Sequence, residues 1–496
     1  MAKILIIGGG VSGLSAGIYA RLKGHEAIVC ERHAIAGGNL TGWDRGGYHI
    51  DNCIHWLTGT NPATDTYHMW EELGALGNVE VYREEALFTC EKDGEVLKLN
   101  RDLRTFEQDM LRLSPKDTGE IRSFVKAVEL MQGLCGIGGD THDEKLSLWQ
   151  SVKAVPAVMK YYGMTTGELS SRFQHPLLRF FFSAFWGEMF GAITLIFVFA
   201  HFCGSNADLP KGGSCAMAER MVARLLELGG ELLLKKEAVK IHHDGERASS
   251  VAFADGSVIE ADYVVLTGDP ATTFGTILDL PMPKQLEKKY ADPRLERFSS
   301  YHCAFACEEG ALPFKGDFIF EIPERFRNFL NTRQLIVREF SHEAFAPAGR
   351  NLLETLTYAY EDKAKSFIEL RKRDLAAYRQ KKQELAETVR TLIEQKLPQL
   401  KDKLRCIDVW TPATYKRYVN SEIGSWMSFT LPSKIIPIRA SNAVGALSNV
   451  VLATQWQQPP GGLPIAAEGG RSAIETIVKK EQKKQKFNMK GNAKHE

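Results

Sequence analysis

The sequence predicts an α/β protein: a Rossmann-like nucleotide-binding domain assembled from separated segments, joined to a mixed α+β domain with a helical part. Three observations predict it. At the amino terminus "KILIIGGGVSGLSAGIYARLKGHEAIVCER" reads as strand, glycine turn, helix and strand. In the middle "ADYVVLTGD" reads as a strand that ends where backbone can approach a ligand closely. Near the carboxy terminus "NVVLATQWQQPPGGLPIAAEGGRSAIETIVKK" reads as an apolar strand, a Pro/Gly loop and a closing helix.

The first element is a short β-branched run over residues 4–7, suited to a buried parallel strand. Gly8, Gly10 and Gly13 follow as G-x-G-x-x-G. In that motif the first glycine makes the tight turn, the second lets main chain approach a pyrophosphate, and the third lets helix and strand pack closely. Free amides at the helix start favour phosphate charge. The helix runs to about Lys23, with Gly24 as its stop, and a second strand over residues 27–30 ends at Glu31. An acidic residue at this distance is placed to hold a ribose hydroxyl. Arg32 beside it reads as a solvated surface residue.

Residues 32–62 are rich in glycine and aromatics and read as a functional loop region, while residues 63–205 read as largely helical. A helix over residues 217–228 ends at Gly229–Gly230. Short strands joined at Asp244–Gly245 and Asp255–Gly256 follow, dipeptides that favour tight hairpins. The glycines of "GLCGIGGD" around Gly136 lack a preceding strand and read as a loop. Leu375, Tyr378, Leu385, Val389 and Leu392 lie near helical spacing on a long amphipathic helix that Pro398 stops. The predicted division is residues 1–70, 206–275 and 440–478 for the nucleotide domain and 71–205 with 276–439 for the second domain. Residues 479–496 read as a basic, disordered tail.

A chain of 496 residues supports two or more domains and a large core. A net charge of +1 gives no reason to expect nucleic acid. Nine cysteines without C-x-x-C pairs read as free thiols in a reducing compartment, and no metal site is predicted. The first strand begins at Lys3, which leaves no room for a signal peptide and points to a cytoplasmic protein. The run "FFFSAFWGEMFGAITLIFVFAHFC", residues 180–203, contains Gly187 and Glu188 and reads as a buried helix lining an apolar cavity. The alternative is a surface that dips into a bilayer, with peripheral membrane association. The lysine-rich tail offers a second contact with anionic lipid.

The glycine motif, Glu31 and Gly37–Gly38 together resemble the FAD-binding start of glutathione-reductase-type flavoproteins, in the branch holding amine oxidases and phytoene desaturases. "GGYHIDNCIHWLTGT", "LPKGGSCAMAERM", "ADYVVLTGD" and "TPATYKRYVN" narrow the resemblance. "PPGGLPIAAEGGRSA" is similar to the proline–glycine closing motif of bacterial phytoene desaturases. Residues 63–206 and 270–409 match loosely. The resemblance implies an extended FAD, with Gly8, Gly10 and Gly13 at the pyrophosphate and Glu31 at the adenosine ribose. It implies Gly37 and Gly38 nearer the flavin, the Val239 backbone at the adenine, and Gly461, Gly462 and Leu463 at the isoalloxazine. One departure is Ala453–Thr454 before the flavin end, where the family commonly has glycine, so Gln455 and Trp456 contact or crowd the ring.

The resemblance further implies an FAD-dependent oxidoreductase that desaturates or saturates a carbon–carbon bond in an apolar, isoprenoid- or carotenoid-like substrate, with hydride passing to or from flavin N5. A second G-x-G-x-x-G unit is missing, so electrons pass to or from oxygen, a quinone, an external reductant or visiting NAD(P)H. His55 is the candidate for proton exchange, since histidine titrates near neutrality, with a structural hydrogen-bonded histidine as the alternative. Asp51 is the second catalytic candidate and also suits fixing its loop's backbone. Trp56 and Trp456 are candidates for the substrate pocket or for packing. Two other functions share this framework: a flavin amine oxidase, and a non-catalytic lipid- or prenyl-binding protein.

Overall fold

The computed structural model describes residues 1–137, 155, 156 and 158–492. Its first layer is a six-stranded sheet in the order Glu231–Leu233, Glu26–Cys30, Lys3–Ile7, Tyr263–Leu266, Leu447–Leu452, Ala443–Val444. Every pairing is parallel except the last. Three distant stretches of chain thus meet in one sheet. Alternation along the central strand explains its two covered faces. Ile4 and Ile6 pack towards the helices Val11–Leu22, Gly213–Glu227 and Leu463–Asn492, while Leu5 faces the three-stranded antiparallel sheet Ala238–His243, Ala248–Phe253, Val258–Glu260.

The amino- and carboxy-terminal helices touch backbone to backbone. A Cβ on Gly470 would lie 2.5 Å from Ala16 N and from Ser12 O, and Ser15 Oγ donates to Ala467 O at 2.6 Å. Helix Val11–Leu22 stops as predicted, with Gly24 left-handed at φ +77°.

The second layer is a seven-stranded sheet in the order Arg405–Trp410, Phe298–Glu308, Arg350–Tyr360, Gln334–Glu339, Asp317–Glu321, Ala86–Lys92, Glu95–Asn100. One face carries the helices Glu361–Arg373 and Leu375–Lys396, seated on Phe305, Phe320, Val337 and Leu353. Leu375 itself is exposed; the buried stripe of the long helix begins at Tyr378. The other face holds Phe88, Ile319, Ile336 and Leu356 against an aromatic helical cluster that includes Phe181, Phe185 and Phe199.

Two sequence expectations are corrected and one is qualified. Most described residues of 63–205 are helical, as expected, but Ala86–Lys92 and Glu95–Asn100 are strands that form the edge of the second sheet. The apolar run 180–203 is two helices, Pro176–Ala184 and Ala192–Cys203, separated at a left-handed Gly187 with φ +83°. Among the described residues no helix is long and apolar enough to cross a membrane. The basic tail is helical through Asn492. Lys480 Nζ donates to Ser448 O at 2.7 Å, and Glu481 and Lys484 both hydrogen-bond the Tyr263 hydroxyl, so the body of the protein holds the first turns of the tail. In "GLCGIGGD", Gly136 is the left-handed cap of helix Thr118–Cys135; residues 138–140 and 493–496 lie outside the described residues.

The third glycine of the motif tests this packing. A Cβ on Gly13 would lie 1.9 Å from Gly8 O, a backbone atom that cannot move aside. Gly13→Ala is expected to lower stability by about 2 kcal/mol or more, as overpacking does, read as a lower midpoint in chemical denaturation.

Candidate active site

The parallel strands of the first sheet end at one edge, and there a cavity of about 970 Å³ opens between the two sheets. At one end lies a glycine cradle. Gly8 has φ +107°, available to glycine at no steric cost, and Gly10 bridges Gly37 so closely that a Cβ on Gly38 would come 3.1 Å from Gly10 Cα. Gly8, Gly10, Gly37 and Gly38 line the cavity. Gly13 does not; it serves the helix–strand packing described above. Glu31 lines the cavity, buried, with Oε2 accepting the Gly9 N–H and Oε1 the His33 N–H, each at 2.7 Å. Two amides therefore aim the carboxylate, and its remaining lone pairs are available to a hydroxyl.

Val239 is placed differently from the expectation. It is 45% exposed, sits where the strand's register slips, and does not line the cavity; Lys236, Glu237 and Ala238 do.

At the other end, Gly461 and Gly462, with φ of +83° and +99°, bring backbone and the start of helix Leu463–Asn492 to the wall. Gln455 makes this turn: its Oε1 accepts the Gly462 N–H at 2.9 Å and its Nε2 donates to Trp426 O at 3.2 Å. Trp456 also reaches the cavity, though it is buried and stacked on Tyr290 at 5.4 Å, so packing is its main part.

A dinucleotide fits these residues. Two helix starts face the cavity, and the wall atoms Asn39 Oδ1, Ser425 Oγ and Trp426 Nε1 are buried without partners among the described residues, the condition of groups that a polar ligand completes.

His55 lies on the cavity wall, carried by a loop that is pinned from both sides. Asp51 pins one side: Oδ1 accepts the Cys53 N–H at 3.2 Å, Oδ2 the Ser214 N–H at 2.6 Å, and Ser214 Oγ accepts the Ile54 N–H at 2.9 Å. Asp51 does not line the cavity, which removes it as a direct base and leaves it a positioning residue. Arg338 pins the other side, donating to Ile54 O at 3.0 Å and His55 O at 2.8 Å. The same guanidinium grips Asp317 through two hydrogen bonds of 2.6 and 3.0 Å, and Asp317 Oδ2 lies 3.6 Å from His55 Nδ1. Asp317 and Arg338 face each other across neighbouring strands, with Glu354 next in line.

Burial opposes ionisation of Asp317, but Arg338 and His55 outweigh it and hold the carboxyl below its usual range. Burial lowers the His55 pKa, Arg338 adds to this, and Asp317 opposes it, so the imidazole is neutral at pH 7. Burial pushes Glu84 up to about 8 and Glu354 well above the ordinary carboxyl value. Asp317 and Arg338 carry no local motif in the sequence. Their signal was the charges at the ends of two apolar runs, "DFIFE" and "QLIVRE".

Beyond His55 the wall turns apolar. Trp56 packs on Phe185 at 5.5 Å and Trp186 at 5.9 Å, and Phe197, Val198, Leu356, Tyr358 and Met427 close the chamber.

A parallel sheet with a glycine cradle, a carboxylate aimed by two amides and a second helix start over an apolar chamber defines an FAD-dependent oxidoreductase. The chain belongs to the flavin containing amine oxidoreductase family, whose profile matches residues 11–381. It is 26% identical to a phytoene desaturase (lycopene-forming) of Paracoccus sp. over 55% of this chain and 56% of that enzyme. It is 22% identical to a 4,4'-diapolycopene oxygenase of Methylomonas sp. over 96% of this chain and 98% of that one. An oxidoreductase of solved structure from Methanosarcina mazei shares the fold, with 17% identity, a TM-score of 0.60, and 95% and 100% of the two chains covered. The match thus spans little more than half the length of the Paracoccus enzyme.

Two measurements check this site. Glu31→Ala is expected to weaken FAD binding roughly 10- to 100-fold, the worth of hydrogen bonds to a charged group, read as the flavin retained after dialysis. Glu84 binds its proton more tightly folded than unfolded, so its contribution to stability is present below its ordinary 4.5 and is lost as pH rises to about 8. Glu84→Gln, which cannot ionise, is expected to flatten that decline in denaturation midpoints taken across the window.

Proposed function

We propose that this flavoenzyme adds or removes hydrogen across a carbon–carbon bond of an apolar, isoprenoid- or carotenoid-like substrate. The observation that carries the reading is a single cavity in which the cradle for a dinucleotide runs directly into a chamber walled by Trp56, Phe185, Trp186, Leu356 and Tyr358. Bound FAD supplies hydride chemistry at N5. The chain's own residues bind the substrate's hydrocarbon, exclude water, and move the accompanying proton. His55 exchanges that proton at the junction of cradle and chamber; Asp317 and Arg338 hold its ring and its backbone in place. The names of the two carotenoid relatives support the substrate class.

The family's description favours a second reading, oxidation of an amine. Its weakness lies in the charges. A protonated amine needs an unpaired carboxylate, and the acid beside the chamber, Asp317, is already bidentately paired with Arg338. Redox partners under this proposal are oxygen, a quinone or NAD(P)H. Half-exposed Met159, Phe197 and Ile436 both line the cavity and face outwards, which supports peripheral contact of its mouth with a membrane surface and entry of substrate from there.

Mixing the holoprotein anaerobically with isoprenoid polyenes and with a panel of amines separates the readings through the flavin spectrum. Bleaching by a polyene, or reoxidation of reduced flavin by one, is expected; bleaching by amines alone would overturn the proposal. His55→Gln is expected to lower kcat about 100-fold or more with KM little changed, as loss of a proton-transfer group does.

A further inference from the structure

Helix Ala192–Cys203 presents one face to the chamber: Thr194, Phe197, Val198 and His201 all line it. His201 stands out on this face because it is polar and only 7% exposed. Its protonation is readable from its neighbours. Asn206 Oδ1 accepts the Asn61 N–H at 2.9 Å, which turns the Asn206 amide nitrogen towards the imidazole. That nitrogen donates to His201 Nδ1 at 2.8 Å. Nδ1 is therefore the acceptor and Nε2 carries the hydrogen. Burial pushes the His201 pKa down to about 4, so the ring is neutral and Nε2–H is its one remaining donor. Among the described residues this N–H has no acceptor. Phe197, with ring centroids 4.2 Å apart, offers at most a weak contact through its π face.

Leaving a donor unmet in such a place is costly, and two further polar atoms of the chamber wall, Trp186 Nε1 and Thr194 Oγ1, share the condition. Hydrocarbon in the chamber would leave all three unmet; an oxygen on the ligand relieves the donor. We infer that the chamber is built for an apolar chain bearing an acceptor oxygen, a carbonyl or hydroxyl, that receives the His201 Nε2–H, and not for a pure hydrocarbon. This rests on the apolar-substrate reading above and narrows it. A site built to hydrogen-bond a substrate oxygen discriminates against the analogue that lacks it far more sharply than a greasy wall discriminates by size.

The test uses the holoprotein with farnesene, farnesol and farnesal, binding being read by quenching of the chamber tryptophans. Farnesal and farnesol are expected to bind roughly 10-fold or more tightly than farnesene. Farnesal should at least equal farnesol, because His201 offers a donor. His201→Phe should erase the preference while leaving farnesene bound, and His201→Gln, which keeps an N–H, should restore part of it. In unsubstituted protein the ¹⁵N-coupled His201 Nε2–H resonance should move with farnesal and stay with farnesene, a readout independent of how the variants fold. Equal binding of all three compounds with an unmoved resonance overturns this inference and leaves the apolar-substrate reading standing. Failure of all three to bind overturns both.

Discussion

Lys3–Ile7 lies in register between Glu26–Cys30 and Tyr263–Leu266, and the next strand is Leu447–Leu452. The rest of the structure depends on this parallel pairing. Parallel strands end on the same side, so Gly8, Glu31, Thr267 and Thr454 arrive at one edge although they come from three distant parts of the chain. The main chain leaves each strand there, and the sheet edge becomes a cleft with helix starts around it. The second sheet roofs that cleft with residues that have no part in the cradle. Binding and chemistry are thus divided between two layers that share one cavity.

The buried charges beneath His55 show the cost of that division. Asp317 and Arg338 satisfy each other and anchor the His55 loop through Ile54 O and His55 O. An apolar pair of similar volume would be the more economical core, since buried ion pairs gain little net stability. Here the pair fixes a loop that crosses from one sheet to the other, which an apolar pair could not do. Asp51 performs the same task from the first layer by joining its loop to the start of helix Gly213–Glu227. The loop is held between two independently packed bodies, and its imidazole has little freedom left.

The cradle was legible in the sequence because its chemistry is local. Gly8, Gly10 and Glu31 act through a turn and a strand that lie within one stretch, and Gly461–Gly462 sit at a Pro/Gly loop that announces itself. The second sheet was not legible in this way. Ala86–Lys92 joins Asp317–Glu321, a partner more than two hundred residues away, and no local pattern fixes that pairing. Asp317 and Arg338 read separately as two charges, and Asp51 reads as brace or base until its hydrogen bonds are seen. Val239 lies on the strand that was expected, and its neighbours Lys236, Glu237 and Ala238 reach the wall. His201 sits in a run of phenylalanines and reads as core; its tautomer depends on Asn206 and Asn61, one of them far away in sequence.

The contact between the first and last helices has a consequence in time. Ser15 and Ala467 bond across 452 positions, and Gly470 presses on the backbone at Ser12 and Ala16. During synthesis the amino-terminal β-α-β unit emerges first, yet the wall that faces it is made last. Cofactor capture therefore waits until translation has delivered both segments, and a ribosome stalled between them would hold a chain with its glycine turn formed and nothing to close over it.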